Sequence, residues 1–314
     1  MKIVTLTMNP AIDASALVDR VTPDVKLRCK APKFEPGGGG VNVSRAIQRL
    51  DGESLAIFPA GGPGGHLLLD LLEDENVPCR LIPIKNRTRQ NLMIYEESGG
   101  RQYRFGMPGP RLAAHEWRQC LDKLFEADPR PDFVVASGSL PPKVPTDFYG
   151  RLAGLCRDKG IRLMVDTSGE PFRQAVRQGL FLVKPNLREL KALAGEDLED
   201  EDRQEGFVQS LIADERCRYV VVSLGAAGAL AAGPEGCKRL RSPTVTIRSK
   251  VGAGDSMVGG IVLALSRGEP FFRAVQYGVA AGAAAVMTPD SELCRREDVE
   301  RLFAKIKNQA GEDN

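Results

Sequence analysis

The sequence predicts an α/β fold, a mostly parallel sheet covered by helices on both faces, with a small second sheet lying over it as a lid. Three observations predict it. From about residue 113 short apolar strands alternate with helical patterns, as a doubly covered parallel sheet requires. Asp13, Ser139, Asp166, Lys184, Asn186 and Ser223 fall at or just beyond predicted strand ends, where such sheets gather ligands. Two glycine-rich runs, at 37–40 and 252–254, each stand directly before a predicted helix.

The elements follow in order. Ile3 to Thr7 reads as a strand ending at Met8-Asn9-Pro10-Ala11-Ile12-Asp13. Residues 14–34 alternate apolar positions around Val18, Val21, Val25 and Leu27, which predicts short strands. Val41 to Leu50 reads as a helix and Leu55 to Pro59 as a strand. Gly61-Gly62-Pro63-Gly64-Gly65 leads into a helix from Leu67 to Glu75. Asn91 to Glu96 and Gln102 to Phe105 read as a hairpin around Glu97-Ser98-Gly99-Gly100. Segments 14–35 and 86–106 together would form the lid. Helices are then predicted at 113–126, 147–158, 171–177 and 203–213, alternating with strands at 133–136, 162–166, 180–184 and 219–223. A length of 314 residues suits one domain over residues 1–314 with a discontinuous lid. The acidic run 196–202 reads as a solvated loop or helix start.

Hydrophobic content of 42% supports a full core. Forty-three basic and 41 acidic residues leave a formal charge of +2, which advertises neither nucleic acid nor an anionic membrane as partner. The seven cysteines are scattered without C-x-x-C spacing, which predicts reduced thiols and a cytoplasmic protein. The N-terminal residues lack a long apolar run, and no later segment reads as a membrane span. His66 and His115 are isolated and predict neither a metal site nor a proton relay.

The chemistry concentrates in Val251-Gly252-Ala253-Gly254-Asp255-Ser256. Gly252, Ala253 and Gly254 let the backbone turn and aim its amides at one point, and a helix starting there adds its positive end. Asp255 beside this anion hole is placed to act as a general base. The pair suits phosphoryl transfer to an alcohol. Gly38, Gly39, Asn42 and Asp13 would form one wall of a polyol pocket, with the Asn42 amide offering a donor and an acceptor. A close-packed turn and a capping aspartate are the structural alternatives. Arg89 and Arg104, on the two arms of the hairpin, suit a phosphate group. Lys26 and Arg28 could reach in from the first lid segment, or simply be surface charges. Lys184 ends a strand and can face triphosphate oxygens. Asn186 and Glu189 share one side of a helix start. Glu189 would hold magnesium-bound water there, unless the two are only a capping pair. Ser223, Gly225 and Gly228 open space for a nucleotide, and Ser139 suits a hydrogen bond to ligand. There is no G-x-x-x-x-G-K-[ST] loop and no early dinucleotide fingerprint.

Five runs in this order resemble the ribokinase-type, or PfkB-type, carbohydrate kinase family: Gly37 to Arg45, Ser137 to Pro141, Lys184 to Leu190, Ser223 to Ala229 and Val251 to Ser256. The resemblance implies a ribokinase-like, Rossmann-type three-layer sandwich whose β-sheet lid also builds a homodimer. It implies that Asp13, Gly38, Gly39, Asn42, Arg89 and Ser139 bind the sugar phosphate. Lys26 would bind phosphate from the lid, including that of a nucleotide. Lys184, Asn186, Ser223, Gly225 and Gly228 would bind ATP, Glu189 would serve Mg2+, and Asp255 would be the base. The uninterrupted glycine at Gly39 is similar to the 6-phosphofructokinase branch and implies fructose 6-phosphate as acceptor. Kinases of fructose 1-phosphate and tagatose 6-phosphate carry lysine in this run. Those substrates, and a non-catalytic sugar-phosphate sensor, stay open as alternatives. The family's potassium site implies a cation near Ser249 and Val251 and the loop 284–292. Asp290 and Glu292 depart there from the glycine and arginine of similar chains.

Overall fold

A strand buried on both faces must lie inside a sheet, and β1 (Ile3–Leu6) is buried at all four positions. The computed structural model describes residues 2–126, 129–289 and 292–312. From β1 the chain leaves to form β2 (Ala11–Val18) and β3 (Lys33–Gly37). It returns through α1 (Gly39–Arg49), β4 (Ser54–Ala60), α2 (Gly62–Asp74) and β5 (Cys79–Pro83). It leaves again for the hairpin β6 (Arg89–Glu96) and β7 (Arg101–Phe105). Regular alternation then begins with α3 (Ala114–Phe125), β8 (Phe133–Ser137), α4 (Phe148–Asp158) and β9 (Arg162–Asp166). It continues through α5 (Gly169–Val176), β10 (Leu180–Val183), α6 (Leu187–Ala194), α7 (Glu201–Ala213) and β11 (Cys217–Ser223). A second hairpin, β12 (Ala229–Gly233) and β13 (Gly236–Leu240), precedes α8 (Ala253–Ser266), α9 (Phe271–Ala285) and α10 (Arg296–Glu312).

The main sheet has the order β13-β12-β11-β10-β9-β8-β1-β4-β5. It is parallel from β5 to β11, and β12 and β13 run antiparallel at one edge. Strand alternation divides the core into two faces. Val4, Leu6, Val134 and Val183 point toward Trp117, Phe148, Phe172 and Leu211 on α3, α4, α5 and α7. Ile3, Phe133, Val135 and Leu182 point toward Ile47, Val258, Ala280 and Leu302 on α1, α8, α9 and α10. The result is the expected three-layer sandwich. The second sheet has the order β3-β2-β6-β7, with β2 and β6 parallel and the other pairs antiparallel.

Some expectations are corrected. Residues 19–32 form no strand, although Val21, Val25 and Leu27 alternate. Val25 and Leu27 are exposed, and Asp24 takes a positive φ of 60° in a turn after Pro23, so that alternation marks no buried face. Helix α2 starts at Gly62 rather than Leu67, with Pro63 in its first turn, where a missing N–H costs nothing. The edge strands β5 and β13, and β12 beside the latter, were not foreseen. Among the described residues no helix is long and apolar enough to cross a membrane. All seven cysteines are unpaired, and burial pushes the thiols of Cys120, Cys156 and Cys217 up to about 12.

Helices α8 and α9 approach closely because glycines face each other. A Cβ added at Gly278 would lie 2.3 Å from Ile261 Cγ1 and 2.8 Å from the Met257 carbonyl oxygen. Gly278→Ala is expected to destabilise the protein by about 1–3 kcal/mol despite alanine's helix preference. The check is a lowered denaturation midpoint with an unchanged slope.

Candidate active site

Gly252 caps α8 in the left-handed region at φ 73°, and a Cβ there would sit 2.4 Å from Leu293 Cδ2. Only glycine makes this turn cheaply. The first-turn amides of α8 therefore open toward the carboxyl ends of the strands, without intrahelical partners. Lys184, buried at the end of β10, supplies the facing cation. Its Nζ lies 3.4 Å from Asp166 Oδ1 and 3.7 Å from where a Cβ on Gly254 would stand. Asp166, at the end of β9, is thus the lysine's anchor. The sequence marks it as a strand-end residue without giving it that role.

Asp255 sits in the first turn of α8, and Asn42 on α1 donates to its Oδ2 from Nδ2 at 3.0 Å. Burial pushes the Asp255 carboxyl up to about 7, and the negative charges of Asp166 and Asp13 add to the rise. The Asn42 hydrogen bond and Lys184 oppose it. A carboxylate of this kind is half ionised near neutrality, the range in which a general base works best.

The residues expected to wall a polyol pocket lie around one cleft, and one expectation about them is corrected. Asp13 on β2 accepts from Asn91 Nδ2 of β6 at 2.7 Å. Gly38 and Gly39 keep some exposure to the cleft while Gly37 and Gly40 are buried. The run is also a close-packed turn: a Cβ on Gly37 would meet Asp13 Oδ2 at 2.5 Å, and one on Gly39 would meet Ser137 Oγ at 2.3 Å. The correction concerns Asn42. Its carbonyl oxygen accepts from Arg45 Nη1 at 3.1 Å, so it presents N–H groups to the cleft rather than both a donor and an acceptor.

Arg89 is not a free fork. Its Nη1 donates to the Met107 carbonyl at 2.9 Å, Nη2 to that of Asn9 at 2.8 Å and Nε to that of Pro10 at 3.4 Å. Two of its five N–H groups remain for a phosphate. Burial lowers its pKa from the ordinary value while Asp13 raises it. Arg89, Ser139, Asn9 and Lys143 line a cavity of about 740 Å³. Ser139 Oγ is within 3.1 Å of Asn9 Nδ2, and Asn9 Oδ1 is the one buried side-chain polar atom without a partner among the described residues. Asn9 was missed in the sequence, where its place in a proline turn gives no hint of a ligand. Arg104 is exposed on β7 and lines a second cavity of about 270 Å³ with Asp13, Asn91 and Val251. Lys26 and Arg28 are exposed on the loop 19–32, and no bond brings either to the cleft among the described residues.

At the other end, Ser223 closes β11 beside Asn186, its N–H donating to the Pro185 carbonyl at 2.9 Å. Gly225 opens a short 3₁₀ turn. Gly228, at φ 97°, owes its missing side chain to packing, since a Cβ would fall 2.0 Å from the Leu240 carbonyl. Asn186 and Glu189 form the reciprocal capping box, each side chain accepting from the other's backbone N–H at 2.9 Å. Glu189 keeps its second oxygen outside that box. Burial raises its pKa first, and Asp166 adds to the rise. Among the described residues no cluster of three histidines, cysteines or carboxylates could hold a metal alone. Ser249 and the loop after α9 are tied by the Arg248 and Ser249 N–H groups, which share the Val286 carbonyl at 2.7 and 3.3 Å. Val251 N–H donates to Ser249 Oγ at 3.2 Å. Glu292 turns to Arg295 at 2.9 Å and Arg49 at 3.9 Å, and Arg295 holds its carboxyl below the usual range. Asp290 lies outside the described residues.

Comparison with known proteins places the chain in a family. A family model described as pfkB family carbohydrate kinase matches residues 3–297. The chain is 47% identical to ATP-dependent 6-phosphofructokinase isozyme 2 of Mycobacterium tuberculosis, over 99% of this chain and 92% of that one. It superposes on the crystal structure of phosphofructokinase-2 from Escherichia coli in complex with potassium with a TM-score of 0.94 and 42% identity, covering 98% and 99% of the two chains. Arabidopsis thaliana ribokinase shares the fold, with a TM-score of 0.77, 16% identity and coverage of 96% and 98%.

Because the Asp255 pKa is raised on folding, its ionisation opposes folding. The stability it allows is fullest below about pH 4 and is lost as the pH rises through about 7. Asp255→Asn is expected to raise the melting temperature at pH 8 by about 2–4 °C or more and to change it little at pH 4. Thermal melts at the two pH values check this.

Proposed function

The chain belongs to the pfkB family of carbohydrate kinases, and we propose that it transfers the γ-phosphoryl group of ATP to the 1-hydroxyl of fructose 6-phosphate, giving fructose 1,6-bisphosphate and ADP. The observation that carries this reading is Asp255 held by Asn42 at the amide-rich start of α8, with Lys184 alongside. Fructose 6-phosphate is supported by the names of the similar chains and by the uninterrupted glycine at Gly39.

Asp13 and the Asn42 amide would hold the sugar hydroxyls. Arg89 and Ser139, with Arg104 from the lid, would take the 6-phosphate. Asp255 would accept the proton of the 1-hydroxyl as its oxygen attacks the γ-phosphorus in line. First-turn amides at Gly252, Ala253 and Gly254 would stabilise charge on the transferring group, and Lys184 would steady the donor phosphates. Ser223, Asn186, Gly225 and Gly228 would border the nucleotide. Magnesium fits the excess negative charge around Glu189 and Asp166, and with no all-protein cage it would bind chiefly to phosphates. When bound it neutralises phosphate charge. Potassium fits less simply. The E. coli protein was crystallised with potassium, and Ser249 and Val251 carbonyls could serve such an ion here. However, the Val286 oxygen already accepts two N–H groups, and the Glu292 carboxylate is held by arginines.

The protein would work as a homodimer in the cytoplasm, where its unpaired thiols stay reduced. Phe34, Ala14, Leu92 and Phe105 form one row across all four lid strands. The three large side chains of that row are exposed, which supports lid-to-lid association. Lys26 would act from the lid loop only after that loop closes or across such a dimer.

ADP release with MgATP and fructose 6-phosphate, tagatose 6-phosphate or fructose 1-phosphate tests the reading. Fructose 6-phosphate is expected to turn over best, kcat is expected to fall as the pH drops below about 7, and Asp255→Asn is expected to lose roughly 10²–10⁴-fold in kcat. Near-normal turnover by that variant would remove the base assignment. Phe105→Glu is expected to convert the dimer to monomer in sedimentation velocity. A monomeric parent protein would refute the lid contact.

A further inference from the structure

Arg45 carries a charge with no exposed surface, in the interior of a helix, and nothing in the chemistry above uses it. Buried guanidinium groups persist where their donors are matched, and nearly all of these are. Nε and Nη2 grip Glu75 bidentately, at 2.8 and 2.5 Å. Nη1 donates both to the Pro36 carbonyl at 2.9 Å and to Asn42 Oδ1 at 3.1 Å. The remaining Nη2 hydrogen faces Glu35, 3.9 Å away. One nitrogen therefore bonds the end of lid strand β3 and the side chain that in turn bonds Asp255.

The consequence for Asn42 is orientational. A carboxamide has one end that only accepts and one that only donates. Arginine only donates, so it fixes the Asn42 oxygen inward and leaves Nδ2 toward Asp255 Oδ2, at 3.0 Å. Without Arg45 the amide could turn over and set its oxygen against the carboxylate. Lysine at this place would keep the charge and lose the fork that reaches Glu75, Pro36 and Asn42 together.

Given the phosphoryl-transfer reading above, on which this rests, we infer that Arg45 is a positioning residue: anchored by Glu75, it locks Asn42 in the orientation that donates to the catalytic base and couples that orientation to the root of the lid at Pro36. A merely structural arginine would stabilise the α1–α2 contact without reaching Asp255.

The two roles separate in the base's titration. Asp255 is also faced by Asp166 from β9, Lys184 from β10 and Asp13 from β2, none of which Arg45→Lys alters. Loss of the amide bond, which favours the ionised base, moves the Asp255 midpoint upward. The experiment compares wild type, Arg45→Lys, Glu75→Gln, Asn42→Ala and Arg45→Lys/Asn42→Ala. One readout is the pH profile of kcat with MgATP and fructose 6-phosphate. The other is carboxyl 13C NMR titration of the ligand-free protein, with Asp255→Asn identifying the Asp255 signal. Arg45→Lys is expected to lower kcat about tenfold to hundredfold, to move the acid limb and the NMR midpoint to higher pH, and to add nothing once Asn42 is alanine. Glu75→Gln is expected to do the same to a smaller degree, and it decides the matter if Arg45→Lys does not fold. An unchanged midpoint, or costs that add fully to those of Asn42→Ala, would overturn the inference. If wild type turns over none of the sugar phosphates, the kinase reading falls, while the ligand-free midpoint still decides the role of Arg45.

Discussion

The hydrogen bond from Asn42 to Asp255 joins two helix starts 213 residues apart in the chain, and the cleft exists because they meet. Each start follows a glycine turn, at Gly38 and Gly252, in a backbone conformation that side chains rarely adopt. Each helix then packs on the same face of the central sheet, through Val43 and Ile47 on one and Val258 and Ile261 on the other. The parallel strands set the level at which their carboxyl ends stop, and Lys184 and Asp166 arrive at that level from neighbouring strands. Hydrophobic burial thus fixes where the helices begin, and the polar groups at those beginnings become neighbours as a result.

The electrostatics of the cleft follow from that convergence. Burial and the negative charges of Asp166 and Asp13 raise the cost of ionising Asp255, and the Asn42 hydrogen bond and Lys184 offset only part of it. A site with this excess of negative charge is incomplete until cationic or amide donors meet an anionic ligand beside it. The donors are in place: the opening turn of α8, the Lys184 ammonium and the two uncommitted N–H groups of Arg89. Arg89 also ties the 107–109 loop to Asn9 and Pro10.

Much of this was legible in the sequence, and the unevenness has physical causes. Asp255, Lys184, Asn186 and Glu189 could be found because glycine turns and strand ends are local signals. The sheet could be read where apolar residues fill four consecutive positions, as at 133–136 in β8 and across β10. Strands β12 and β13 escaped because Ala-Leu-Ala-Ala-Gly and Gly-Cys-Lys-Arg-Leu carry neither alternation nor β-branched side chains. β12 is a strand because β11 offers it an edge, and β13 because β12 does. In the site, Arg45, Glu75 and Asn9 escaped, and Asp166 was marked only as a strand end, for a related reason. Their meaning lies in partners 30, 18 or 130 residues distant, and nothing near them in the chain hints at those pairings. Asn42 was found, but its orientation was not, because a carboxamide's two ends are told apart only by what they touch.

The end of β3 and the side chain that holds Asp255 share a guanidinium. The last residues of β3 lead straight into the glycine turn before α1, and Arg45 spans that corner from inside, from the Pro36 carbonyl to Asn42. Lys33 and Glu35 extend the same ion-pair chain outward along β3. Movement of the lid about this corner cannot leave the Pro36 bond in place without carrying Arg45 or straining it, and Arg45 cannot shift without loosening Asn42. A two-stranded connection through open loops would have let the lid move independently of the base. The chain instead runs this corner through a matched buried charge, so the end of β3 and the contact that holds Asp255 belong to one arrangement of the same hydrogen bonds.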